Sequence, residues 1–307
     1  MAERQLFTRQ IEFEPTNYCN AQCVFCPRND PRQKGYISFD TVKDGVALAK
    51  AAGLKAFKLA GFGEPLLHKD LVEHLRYIKA EIPEASLLLI TNGSQLTPEL
   101  FEQLAQIPVT RINISFNGYD QASYEMLMCG LSFNKLIAHL KEIAARNQSR
   151  VDLQFVPILS KSFGLAEVEK MKGLLAGLGF NESNFKFHHV ITGRSGKLKN
   201  DQLISEAYLK SLKDIEVEDK SKVICLAAFS NLFIAWDGNI HICCNDIYGE
   251  AIVGNIKDIR TAADLKKLED KNFALRASYA FDVCQRCDTP LAARHIKVGD
   301  QLYTELS

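Results

Sequence analysis

The chain has a single tryptophan, four methionines and no excess of either charge, since its 37 basic and 37 acidic residues cancel. That neutrality removes the electrostatic footprint of a nucleic-acid binder, because phosphate-backbone recognition normally shows as a basic excess. No run approaches the ~20 consecutive apolar residues of a membrane span, so none is expected. The start, MAERQLFTRQIEF, is polar and lacks the apolar stretch of a secretory signal. Internal repeats and low-complexity segments are also lacking. These absences point to the cytoplasm, where thiols stay reduced. What the chain has in plenty is cysteine, nine in 307 residues. In a reducing compartment that number speaks for metal or redox chemistry before disulfides.

Over residues 10–192, β-rich runs alternate with helical stretches. The runs are QIEFE (10–14), KAFKLAG (55–61), ASLLLIT (85–91), RINISF (111–116), VDLQFVPIL (151–159) and FKFHHVI (185–191). Between them, apolar residues at three- and four-residue spacing predict helices over 40–52, 69–80, 97–105, 121–146 (broken near Gly130) and 165–177. Ser38 or Asp40 caps the first, and Thr97-Pro98 opens the third. Six strands with helical crossovers imply a parallel sheet, open or closed into a barrel, with ligands at the carboxyl ends of its strands. The cysteine loop, GFGEP (61–65), TNG (91–93) and SFNG (115–118) follow strands one to four and therefore share one rim. Residues 193–222 read as a polar connection with one short helix around 204–213. After residue 223 the pattern becomes a hairpin turning at Asp237-Gly238, then IVGNI, a helix near 261–270 and a cysteine pair.

Cys19, Cys23 and Cys26 form C-x3-C-x2-C on the loop leaving strand one. Three thiolates from one loop hold three irons of a cubane and leave the fourth open to a non-protein ligand. A reactive centre keeps such a vacancy, whereas a structural one closes it. A three-cysteine zinc site completed from elsewhere, or plain buried thiols, are the alternatives.

CNAQCVFC, with Phe25 before the last cysteine, resembles the signature of the radical S-adenosylmethionine (SAM) enzymes. The resemblance implies a partial (β/α)6 barrel and a 4Fe–4S cluster whose open iron is ligated by the amino and carboxylate groups of SAM. It also implies a 5′-deoxyadenosyl radical that takes a hydrogen atom from substrate. GFGEP is similar to the family's Gly-Gly-Glu segment, which gives Gly63 and Glu64 to the SAM ammonium. TNG contributes Asn92 to the same rim. ISFNG resembles Ser-x-Asp-Gly, with Ser115 directed to the ribose or carboxylate and Asn117 in the place of the Asp. Phe25 is set either against adenine or in the core. In SYEMLMCG (123–130), Met128 stands where the family usually has an arginine for the SAM carboxylate, and Arg194 is the substitute candidate.

Downstream, Cys225, Gly238 and Cys243, followed by Cys284-x2-Cys287, resemble the shortened SPASM or twitch domain, which implies a second, auxiliary 4Fe–4S cluster. A zinc site made by the same four cysteines remains open at this stage. Cys243 is the ligand by spacing, and Cys244 turns the other way if the hairpin strand continues. His188 and His189 end a barrel strand, so one of them faces the cavity.

The expectation is an α/β protein with three parts. Residues 1–195 form a radical SAM partial barrel, 196–222 connect, and 223–307 hold a small SPASM/twitch-like α+β iron–sulfur domain and tail. The implied cofactors are SAM and two 4Fe–4S clusters, with a flavodoxin- or ferredoxin-type electron donor. The implied reaction is a two-electron oxidation of a small molecule, such as an aminocyclitol or sugar alcohol. The rival is a peptide maturase that cross-links or epimerises a ribosomal precursor, although residues 1–9 leave no room for a leader-recognition domain ahead of strand one. A non-catalytic zinc or electron-transfer protein is the alternative of another class. Alanine at Cys19, Cys23 or Cys26 is expected to abolish reductive SAM cleavage, read as 5′-deoxyadenosine. Alanine at Cys284 or Cys287 should leave some cleavage while impairing turnover.

Overall fold

The computed structural model describes residues 6–27, 30–147, 150–205, 208, 211, 219–225, 227–288, 295–298 and 301–304. Strands β1 (Gln10–Phe13), β2 (Ala56–Leu59), β3 (Ser86–Thr91), β4 (Arg111–Ile114) and β5 (Asp152–Phe155) pair in chain order and in parallel. They alternate with α1 (Phe39–Ala52), α2 (Leu71–Glu81), α3 (Pro98–Gln106), α4 (Gln121–Leu127) and α5 (Phe133–Asn147), and α6 (Leu165–Ala176) follows. The caps act as their chemistry dictates. Ser38, not Asp40, accepts the Thr41 N–H at the start of α1, and Thr97 accepts the Leu100 N–H ahead of α3. The 121–146 stretch divides between α4 and α5 around Gly130, whose φ of +88° stops a helix.

The fifth and sixth expected strands depart from expectation. VDLQFVPIL does not run through: β5 ends at Phe155, and Ile158–Leu159 (β6) forms a separate two-strand sheet with His189–Val190 (β7). Pro157 sits at the break and offers no N–H to a ladder. The strand expected over 185–191 thereby shrinks to two residues. The helix expected around 204–213 falls largely outside the described residues.

Beyond the connection come β8 (Val223–Ile224), β9 (Asn231–Ile234), β10 (Asn239–His241) and β11 (Ile252–Asn255), with the hairpin β12 (His295–Val298) and β13 (Gln301–Thr304) pairing back onto β8. β9 lies parallel to β1 on the side opposite β2, and β10 and β11 continue antiparallel. One eight-stranded sheet therefore runs β11-β10-β9-β1-β2-β3-β4-β5. The C-terminal strands cover an edge of the barrel sheet that would otherwise be open. The helix expected near 261–270 extends over Ala262–Ala277.

The two faces of the sheet differ. Ile11, Phe13, Phe57, Leu59, Leu87, Leu89, Ile112, Ile114, Leu153 and Phe155 are buried and form the apolar side. Phe13 stacks on Phe57 with ring centroids 6.3 Å apart, and its ring also reaches α1, where a Cβ on Gly45 would lie 2.5 Å from Phe13 Cζ. Alternation puts Glu12, Lys58, Asn113 and Gln154 on the other face. Parallel sheets packed on both sides are apolar on both. The charged inner face here instead lines a lumen.

Gly45→Leu is expected to cost about 1–3 kcal/mol through overpacking against Phe13. Gly173→Ala in α6, where a Cβ meets nothing within 4 Å, is expected to gain up to ~1 kcal/mol from helix propensity. Denaturant midpoints measure both, and equal signs would contradict the packing described.

Candidate active site

The loop that carries Cys19, Cys23 and Cys26 is fixed at its root. Thr16 Oγ1 donates to the Gly35 carbonyl at 2.6 Å, and the buried Asn17 accepts the Gly35 N–H and donates to the Gln33 carbonyl. Beside it, the buried Glu14 pairs with Arg32 at 2.9 Å, and Arg32 also binds Asp30. The Phe62 N–H donates to the same Glu14 carboxylate. A loop tied by buried, charge-assisted bonds is held more firmly than surface ion pairs would hold it.

The second and third rim loops clamp it from below. A Cβ on Gly63 would lie 2.2 Å from the Thr16 carbonyl oxygen and 2.4 Å from that of Tyr18, so only glycine permits this approach. The next N–H, of Glu64, donates to the Tyr18 carbonyl at 2.7 Å. Glu64 is 2% exposed and receives three donors: the Thr91 hydroxyl at 2.6 Å, the Asn92 N–H at 2.7 Å and the Leu66 N–H at 3.0 Å. Burial pushes its carboxyl upward, against those hydrogen bonds. Two carboxylate oxygens accept about four hydrogen bonds. Glu64 thus retains roughly one position for a ligand and spends the rest on the rim. Asn92 Nδ2 donates to Asn20 Oδ1 at 3.0 Å, and Asn20 Nδ2 donates to Ser94 Oγ at 2.8 Å, stitching TNG to the cysteine loop.

The end of α4 closes the third side. Gln22 and Val24 donate their N–H groups to the carbonyls of Cys129 and Leu127. Met128, almost fully buried, sets its Sδ 3.6 Å from Cys23 Sγ and 3.4 Å from Asn117 Nδ2. Asn117 Oδ1 accepts the Ile158 N–H at 2.6 Å, a group that the β5–β6 break keeps out of the main ladder. Both ends of Asn117 are therefore engaged within the protein. Phe25 lies in the apolar core, and Ser115 is half-buried at the end of β4 with its N–H on the Thr91 carbonyl. The Ala21 N–H donates to Cys19 Sγ at 3.4 Å, the kind of contact that suits a thiolate ligand of a cluster.

The second thiol group, Cys225, Cys243, Cys284 and Cys287, is half-buried. Cys243 feels Cys225 and Cys287, while the neighbouring Tyr279 feels Cys225, Cys284 and Cys287. Cys243 and Cys284 pack with Ile242, Ala251 and Val283 in a small apolar cluster of their own. Burial pushes the Cys243 thiol well up, and the adjacent thiols push it further. A cluster bound there would supply the cationic compensation that deprotonating these thiols requires. Arg276, buried over the Phe229 ring at 5.5 Å, adds a guanidinium that interacts with Cys243, Cys284 and Cys225. This suits a cluster whose four thiolate ligands give it net negative charge. Among the described residues, no three His, Cys, Asp or Glu side chains converge at the spacing of a single metal ion. A cubane, which places its four ligands on four irons, takes a wider spread.

Cys244 follows Cys243 in the turn after β10, which ends at His241, and it acts electrostatically on Cys243 ahead of Cys287 and Cys225. Its electrostatic neighbours are Glu12, Lys58 and Arg194, on the inner face of the barrel. Lys58 Nζ lies 3.0 Å from Glu12 Oε1, two residues that the β1–β2 register places side by side. Of the two histidines, His189 joins this set. It is exposed to solvent, and desolvation of its ring by the surrounding protein, followed by the charges of Arg194 and Lys58, brings its pKa down to about 4. Arg194 is placed with Lys58, His189 and Cys244, and its hydrogen bond goes to Asn245 Oδ1 at 3.4 Å. The Glu14–Arg32–Asp30 network, Arg276 and the Glu12–Lys58 pair were not singled out by sequence reasoning. The only signal for the last was two charges interrupting apolar strands.

Residues 13–160 match the radical SAM superfamily, and residues 225–288 match SPASM, an iron–sulfur cluster-binding domain. A curated relative from Saccharolobus islandicus (strain M.14.25 / Kamchatka #1), named probable GTP 3′,8-cyclase, is 28% identical over 204 residues, covering 64% of this chain and 63% of its own length. A protein of the same name from Pyrococcus abyssi is 34% identical over 113 residues, 36% of each chain. The first match thus spans less than two thirds of that relative. Among solved structures, BtrN in complex with AdoMet and 2-DOIA superposes with a TM-score of 0.64 at 17% identity, covering 93% of this chain and 94% of BtrN. Streptococcus suis SuiB bound to precursor peptide SuiA gives 0.63 at 16%, covering 79% and 61%. At these identities the likeness is one of fold.

Gly63→Ala is expected to dislodge the cysteine loop, lowering iron bound at the N-terminal site at least several-fold in metal analysis of a variant that retains the C-terminal cysteines. Wild-type occupancy in G63A would contradict the clamp.

Proposed function

The chain belongs to the radical SAM superfamily and carries a C-terminal SPASM domain, and from that premise we propose that it catalyses the two-electron oxidation of a small-molecule alcohol. The observation that carries this reading is the division of the cysteines into a group of three on the rim loop and a separate group of four in the C-terminal region. Cys19, Cys23 and Cys26 hold the SAM-binding 4Fe–4S cluster, and Cys225, Cys243, Cys284 and Cys287 hold the auxiliary one. When bound, these groups supply reductive cleavage of SAM, a 5′-deoxyadenosyl radical that takes one substrate hydrogen, and an acceptor for the second electron. A flavodoxin- or ferredoxin-type donor provides the initiating electron.

The protein's own residues position and exclude. The Glu64–Thr91–Asn92 bonds fix the rim on which the cysteine loop rests, and the remaining acceptor position of Glu64 is directed to the SAM ammonium, beside Gly63. Ser115 serves the ribose or carboxylate. Phe25, packed in the core, sets the backbone of the loop against adenine. His189 Nδ1 or Nε2 takes the substrate proton, because an imidazole with a pKa about 4 is neutral at physiological pH and has an acceptor nitrogen. The fold likeness to BtrN, which spans nearly the full length of both chains, is compatible with a small-molecule substrate. The name of the curated relatives adds a nucleotide to the candidate substrates.

Deuterium from a labelled small-molecule alcohol is expected in 5′-deoxyadenosine after anaerobic turnover, and transfer from peptides alone would overturn the assignment. His189→Ala should keep that transfer while lowering oxidised product by ~10²-fold or more. Loss of deuterium transfer in parallel with product would remove His189 from the proton step.

A further inference from the structure

The inner face of the barrel holds one cation more than it balances. Glu12 and Lys58 neutralise each other at 3.0 Å, and Asn231 Nδ2 donates to the other Glu12 oxygen at 3.3 Å. Glu12 is 2% exposed, so this pair is fixed and its charge is spent inside the protein. Arg194 differs. It lies close enough to Lys58 and His189 for its charge to act on both. Its one hydrogen bond goes to a neutral amide, Asn245 Oδ1, and no carboxylate of the described residues pairs with it.

The chain goes out of its way to hold Arg194 there. Arg194, Ser195 and Gly196 have φ values of +47°, +54° and +77°, and the first two are side-chain-bearing residues in the left-handed region, each strained by about 1 kcal/mol or more. The surroundings enforce that shape. Ser195 is buried and donates to the Asn245 carbonyl at 3.1 Å, the Gly193 N–H donates to Asp288 Oδ2 at 2.6 Å, and Arg286 Nε donates to the Ser195 carbonyl at 3.4 Å. These anchors sit next to Cys243 and Cys287, so the guanidinium stands at the wall between the lumen and the second thiol group.

We propose that Arg194, backed by the Glu12–Lys58 pair, is an anion-recognition site in the lumen and that the substrate carries a carboxylate or phosphate group seated on it. An anion there completes a balanced cluster, and a planar guanidinium suits either oxyanion bidentately. A polycationic aminocyclitol meets like charge at the same place. Substrate class therefore narrows from small alcohols in general to acidic ones, with the acidic group held toward the auxiliary side. Calling the bound molecule the substrate rests on the function proposed above; the anion site itself does not.

The test is calorimetric titration of the anaerobic, SAM-loaded holoenzyme with inorganic phosphate and, separately, with succinate, at constant ionic strength. At least one anion should bind wild type, and the stronger of the two tells phosphate from carboxylate recognition. Arg194→Gln should weaken that binding tenfold or more, Arg194→Lys should recover most of it, and Lys197→Gln, whose lysine pairs with Glu250, should bind as wild type does. SAM affinity should be the same in R194Q and wild type. The proposal is overturned if neither anion binds, if R194Q and K197Q weaken binding equally, or if R194Q loses SAM affinity and keeps anion affinity. Arg194-dependent anion binding in a protein that cleaves no SAM would uphold the site and reject the catalytic reading.

Discussion

Glu64 is a carboxylate placed where water scarcely reaches it, and burying such a group is costly unless donors meet it. The Thr91 hydroxyl and the N–H groups of Asn92 and Leu66 do so, and they come from two different loops. A single buried acceptor thus joins the segments after β2 and β3. Its own N–H, together with the close approach of Gly63, then seats the cysteine loop on the pair. Remove the carboxylate and three donors lose their partner together, at roughly 1–3 kcal/mol for each left unsatisfied. The rim depends on Glu64 before any ligand arrives, which accounts for a functional side chain so thoroughly used by its own protein.

The same economy shapes the lumen. A sheet with one apolar and one charged face must fill the charged side with pairs or with ligand. Glu12 and Lys58 form a pair, Glu14 is matched by Arg32, and Arg194 is held in a strained turn without a carboxylate. The C-terminal strands take part in this directly. β9 lies on β1, and the turn after β10 brings Cys243, near Cys287 and Cys225, next to Cys244, near Glu12, Lys58 and Arg194.

Much of the architecture was legible because it is periodic. Five of six barrel strands, the helices between them and the hairpin at Asp237-Gly238 follow from patterning and turn residues. The fifth run breaks at Pro157, inside an otherwise convincing apolar stretch, and the sixth shrinks to the two residues that pair with its detached end. The rim segments GFGEP, TNG and ISFNG were placed correctly at strand ends, but their division of labour was hidden. That Thr91 and Asn92 serve Glu64, or that Asn117 braces Met128 and Ile158, depends on contacts between distant positions. Arg276 and the Glu14–Arg32–Asp30 network escaped for the same reason: a charge in a helix or loop reads as solvent-facing until the fold buries it. Met128 was visible as a departure from the family pattern, and the structure seats it against Cys23.

The central claim is that three thiols on the rim and four thiols in the C-terminal region hold two separate cubanes. Mössbauer spectroscopy and metal analysis of the anaerobically reconstituted chain test it most directly. Wild type should contain about eight irons per chain in two 4Fe–4S environments, only one of them perturbed by SAM. The triple variant with alanine at Cys19, Cys23 and Cys26 should retain about four irons and lose the SAM response. Zinc in place of iron at the C-terminal thiols, or a SAM response that survives in the triple variant, would contradict the account.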